Sequence, residues 1–151
     1  MIFNLIKNKN SEKAQSENED LIKIIALLIH AAKIDENYSE KEKKLIISFA
    51  EMSSYKKLDK EQINSLVDQA EQYEKNSNQI LEFTQKVKKM DLNTKRRVLE
   101  FLWKIILSDN KSDVYESNLM RRICGLLYLP DKLSGEIKLD IIRKNKNDVH
   151  S

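Results

Sequence analysis

Glycine occurs twice in these 151 residues, and proline and cysteine once each. So little glycine and proline removes the usual punctuation of strands and hairpins, and leaves helix as the default element. The lone Cys124 excludes an internal disulfide and is compatible with a reducing compartment. Charge of one sign is lacking too, since 27 basic side chains face 24 acidic ones for a net +3. A nucleic-acid surface needs Lys and Arg gathered without acidic dilution. Only "KVKKMDLNTKRR" at 86–97 is densely basic, so nucleic acid is not expected as a partner. No apolar run approaches the roughly 18 residues of a membrane span. The start, "MIFNLIKNKN", has neither a basic region before its apolar residues nor a run of secretory length, so a cytoplasmic location is expected.

What is present is helical periodicity. "LIKIIALLIHAAKI" at 21–34 and "VLEFLWKIIL" at 98–107 are apolar on nearly all sides, the mark of buried central helices. Leu45, Ile46, Phe49 and Met52 fall at helical spacing within 39–53. Asp59 with Gln62 forms a capping-box pair opening a helix to about Tyr73, with Ile63, Leu66, Val67 and Ala70 inward. Asn76 or Ser77 caps a fourth helix carrying Ile80, Leu81, Phe83, Val87 and Met90 inward, and Asn93 or Thr94 opens the second central helix. Asp113 caps the next, through Leu119, Met120, Ile123 and Leu127, until Pro130 stops it. A last helix over 132–144 turns Leu133, Ile137, Ile141 and Ile142 inward. The expected fold class is all-α, a compact bundle of about seven helices over 21–144, with a polar, flexible lead-in over 1–20 and a tail at 145–151.

Two stretches repeat each other. In "KIDENYSEKEKKLI" (33–46) and "LSDNKSDVYESNLM" (107–120), Asp35 stands 74 residues before Asp109 and Glu42 stands 74 before Glu116. At the same offset Leu28 falls on Leu102, Leu45 on Leu119, Ile46 on Met120 and Phe49 on Ile123. The phase agreement predicts two pseudo-symmetric helix–turn–helix halves with the apolar helices meeting at the centre.

Capping alone explains both glutamates. Ser39 through Glu42 reads as an S-x-x-E box, and Asp113 through Glu116 is the same device with Asp as cap. The aspartates are less easily explained. Each closes an apolar helix, where exposed carbonyls disfavour negative charge. Either an Asx-turn or a bound cation offsets that cost. Oxygen ligands alone suit a hard cation such as Ca²⁺ or Mg²⁺, and the candidate ligands are Asp35, Glu42, Asp109 and Glu116. The spacing is not that of an EF-hand loop, and His30 reads as a packed or edge histidine.

An apolar helix with A-x-x-D, a turn, S-x-x-E and a second apolar helix resembles the TerB-like family of tellurite-resistance and stress-associated proteins, also similar to the N-terminal domain of DjlA-type co-chaperones. Here the matching residues are Ala32, Asp35, Ser39 and Glu42, then Asp109, Asp113 and Glu116, with "RRICGLLYLP" at 121–130 resembling the family's leucine-rich ending. The resemblance covers about 21–144. It implies a helical bundle of two related halves in which those same four acids coordinate metal.

No Ser/His/Asp set, Gly-rich phosphate loop or Cys/His cluster is present, so no enzyme is expected. Two functional classes remain. One is a metal-binding stress protein. The other is a metal-free interaction or scaffold module, presenting a surface to a protein partner or a membrane-associated assembly. In that case Ile2, Phe3, Leu5 and Ile6 would serve as a docking element for peripheral membrane or protein contact.

Overall fold

In a computed structural model of the chain, residues 18–35, 38–54, 57–77, 80–109 and 114–150 are described, apart from the side chains of Asp35, Ile80, Asp109 and residues 114–116 and 147–150. They form seven helices and no strand: α1 over 18–32, α2 over Glu40–Ser53, α3 over Lys60–Asn76, α4 over Ile80–Lys88, α5 over Leu92–Ile106, α6 over Val114–Leu126 and α7 over Asp131–His150. The all-α expectation holds.

α1 and α5 are the central rods. Every residue from Ile24 to Ile29 is buried, as are Leu99, Leu102, Trp103 and Ile105 on α5, whose Asn93, Arg97, Glu100 and Lys104 keep a narrow polar stripe toward water. α5 packs against α2 and α7, α2 against α3, α6 against α7, and α4 against both α5 and α6. Phe49 meets Phe101 edge-on, with ring centroids 5.3 Å apart, at the α2–α5 crossing.

The repeat is visible in the backbone. A single 3-10 turn, Lys33–Asp35, closes α1, and another, Leu107–Asp109, closes α5 at the same 74-residue offset. α2 and α6 then begin at Glu40 and Val114, again 74 apart. Burial keeps the same phase, for Leu28 and Leu102, Ile46 and Met120, Phe49 and Ile123, and Ala50 and Cys124 are all buried. Two halves with corresponding corners are therefore built into the fold.

Local chemistry explains most helix ends. Ser39 and Asp59 cap α2 and α3 with complete capping boxes, as expected. The cap of α5 differs from expectation. Asp91, not Asn93 or Thr94, accepts the Thr94 N–H at 2.7 Å, so the helix starts at Leu92. That bond holds the Asp91 carboxyl below its ordinary pKa. Pro130 is not the stop of α6. Tyr128 is, at φ 57°: the Leu129 N–H reaches the Cys124 carbonyl at 2.9 Å and the Tyr128 N–H reaches that of Gly125 at 3.3 Å, the paired bonds of a Schellman motif. The Pro130 carbonyl instead accepts from Leu133 and Ser134, opening α7.

Other boundaries also move. α3 runs three residues past Tyr73, α7 continues beyond 144 to His150, and α1 is already helical at Asn18. Ser77 closes α3 by donating to the Glu74 carbonyl. Asn76 and Ser77, expected to cap α4, instead end α3, because α4 starts only at Ile80; Asp113 and the apolar residues near the N-terminus lie outside the described residues. Met52 and Leu81, both expected inward, are 58% and 47% exposed; Leu81 stands two residues before buried Phe83 and so on another side of α4.

Candidate functional site

The first acidic corner begins where α1 ends. Asp35 is the last residue of its 3-10 turn, and Ser39 follows in extended backbone at φ −83°, ψ 163°. Its hydroxyl accepts the Glu42 N–H at 3.2 Å, while its own N–H and O–H each reach Glu42 Oε1 at 2.9 Å. Glu42 is only 8% exposed. A buried carboxylate at a helix N-terminus is favoured by the capping bonds and by the positive end of the macrodipole.

The second corner stands close by. Lys41, next to Glu42, donates to the carbonyl of Ser108 at 2.9 Å, one residue before Asp109. Ser108 in turn donates its hydroxyl to the Ile105 carbonyl at 2.7 Å, tightening the last turn of α5. The fold thus brings the start of α2 beside the turn that ends in Asp109. Of the four acids expected as ligands, Glu42 has a described carboxylate. Asp35 and Asp109 are placed by their backbone at equivalent turns, and Glu116 by its backbone in the first turn of α6. Among the described residues no three His, Cys, Asp or Glu side chains are arranged to hold a metal ion.

Tyr38 fastens the first corner to α3. Its hydroxyl donates to Glu71 Oε1 at 3.2 Å, and the same oxygen lies 3.5 Å from Lys43 Nζ. Burial first, and then the negative charge of Glu71, push the Tyr38 phenol well above its ordinary pKa.

The acid that the pattern reading missed is Glu74, in the last turn of α3. Its side chain is 10% exposed, with Oε2 2.6 Å from Lys33 Nζ and Oε1 3.4 Å from His30 Nδ1. The His30 ring also packs on Phe83 at 5.7 Å, so His30 is a half-buried edge histidine, as expected. A signal was present, for Ile63, Val67, Ala70 and Glu74 fall on one helical stripe, and an acid in a core register needs a cationic partner. Ending the helix at Tyr73 hid it.

Across the bundle, Trp103 Nε1 donates to the buried Ser134 hydroxyl at 2.9 Å, tying α5 to α7. Burial pushes the Cys124 thiol up, and its hydrogen bond to Ser134 offsets only part of that rise. This is a packed thiol in a core, as expected of Cys124.

Two helix–turn–helix halves with acidic corners at a constant offset define a helical bundle of duplicated design. The family model described as tellurite resistance protein TerB matches residues 21–139, and the chain belongs to that family. No curated protein and no solved structure matches it.

Proposed function

We propose that this TerB-family chain is a non-enzymatic, stress-associated helical domain that takes up a divalent cation at its paired acidic corners. Asp35 and Glu42 of one corner, with Asp109 and Glu116 of the other, would supply the carboxylate oxygens. The observation that carries this reading is the joining of the corners by Lys41, which spans from the start of α2 to the Ser108 carbonyl. Glu42 fits the role, because the hydrogen bonds described for it all use Oε1, and its burial makes a second positive partner worthwhile. All-oxygen donors suit Ca²⁺ or Mg²⁺, with carbonyls and water completing the shell. A bound cation would neutralise the carboxylates at the C-terminal ends of α1 and α5, where the backbone disfavours them. Resistance to tellurite is then a role of the family that this chain would share.

Thermal melting with added cation tests the reading. Saturating Ca²⁺ or Mg²⁺ raises the melting temperature, since ligand at 100 times its dissociation constant adds about 2.7 kcal/mol. The Asp35→Ala/Asp109→Ala double variant loses that rise. An unmoved wild-type melting curve, or an equal rise in the double variant, defeats the proposal.

A further inference from the structure

Residues 86–97 carry six basic side chains and one acid, five net positive charges in a chain of net +3, so the remaining residues sum to −2. The fold gathers this run at one corner of the bundle, where α4 ends, α5 begins and the stop of α6 meets both. Lys88 Nζ lies 4.5 Å over the Tyr128 ring, and Lys95 donates to the Leu127 carbonyl at 3.1 Å. Lys89, Arg96 and Arg97 are exposed around them. Of the acids at hand, Asp91 caps α5 and Asp20 pairs with Lys86 at 3.6 Å, while Glu136 and Asp140 stand with Arg143 in the α7 groove that Arg96 borders.

Stability accounts for only part of this charge, since Lys86 and Lys88 stand in the last turn of α4, where the macrodipole favours them. Lys95, Arg96 and Arg97 stand in the first two turns of α5, at the positive end of its macrodipole, and the first turn holds no acid. Two large apolar side chains are exposed at the same corner, Leu92 at 55% and Tyr128 at 72%. Leu92 precedes Lys95 by three residues and shares its helix face. Tyr128 occupies a left-handed position that glycine would fill at lower cost, and it holds an aromatic ring outward.

We propose that this corner is a peripheral docking surface for an anionic lipid bilayer, with Lys88, Lys89 and Arg96 meeting the headgroups and Leu92 and Tyr128 entering the interface. The charge complements acidic lipids, and an apolar side chain beside an amphipathic ring suits the boundary between headgroup and acyl chain. A nucleic-acid phosphate surface would use the cations but has no call for an exposed leucine. The proposal requires neither the acidic corners nor a bound cation.

Co-sedimentation of the full chain with vesicles tests it. The chain binds phosphatidylcholine vesicles containing about one third phosphatidylserine at physiological salt, is released at high salt, and ignores pure phosphatidylcholine. The Lys88→Gln/Lys89→Gln/Arg96→Gln variant binds about a hundredfold more weakly. Leu92→Gln, at an exposed position where thermal melting confirms the fold, binds about tenfold more weakly with the same salt dependence. Equal binding to neutral vesicles, or an unaffected charge variant, overturns the proposal. So does tighter binding to a DNA duplex than to the acidic vesicles, with Leu92→Gln indifferent for both.

Discussion

Each half of the bundle lays its third helix on its central rod, and the two halves fasten it by different chemistry. α3 is tied to α1 and its closing turn by Glu74, between His30 and Lys33, and to the start of α2 by Glu71, which holds Tyr38 and Lys43. α7 is tied to α5 by a buried indole, with Trp103 donating to Ser134 and Lys138 lying 4.9 Å over the ring. The backbone plan was duplicated and the fastening was not. Ion pairs whose cationic side is open to water, as at Lys33, are weakened by salt, whereas the burial of an indole is indifferent to ionic strength. The α1–α3 seam is therefore the adjustable one, and it lies beside the first acidic corner.

The largest effect that would sharpen this contrast comes from Trp103→Ala, which removes a buried aromatic and leaves Ser134 without its donor. A loss of about 3–5 kcal/mol in urea unfolding is expected, unchanged by added salt. Glu74→Ala leaves two basic groups facing each other at a half-open seam, and costs about 1–2 kcal/mol, between the values of exposed and buried pairs. That loss shrinks in high salt. A Glu74 variant as insensitive to salt as the Trp103 variant would erase the distinction.

Ser39→Ala strips the first corner of its cap, with an expected loss of about 1 kcal/mol by thermal melting. Smaller still is the alkaline effect of the thiol. Cys124 has a raised pKa in the fold, so its contribution is complete below the ordinary thiol pKa of about 8.5 and is lost as pH rises through the folded value, the unfolded chain ionising first. Stability measured by urea midpoint should fall above about pH 9, and Cys124→Ala should flatten that fall. Asp91 works in the opposite sense. Its lowered carboxyl contributes fully above its ordinary range and loses that contribution as pH drops through the folded value, so an Asp91→Ala variant should show a shallower acid limb.

Much of the corner was legible because its chemistry is local. Ser39 and Glu42 lie three residues apart, and Asp59 and Gln62 repeat the device, so both boxes could be written down from spacing alone. The helical stripe could have marked Glu74 as buried, but its partners were illegible, standing 41 and 44 residues upstream. Lys41 was equally silent, since its acceptor is a carbonyl 67 residues away. Leu81 was readable as a misplacement, for it stands two residues from buried Phe83, out of phase with the inward face of α4.

By itself the sequence determined the helical class, the phase of both apolar rods, the two capping boxes and the 74-residue repeat, because hydrophobic spacing and capping act within a turn or two of the chain. The tertiary structure alone decided that α6 ends on a left-handed tyrosine, that an indole meets a serine across α5 and α7, and that Glu74 is sealed between a lysine and a histidine. Those outcomes depend on which helices come to face one another, and the free energy of that packing is shared among residues far apart in sequence.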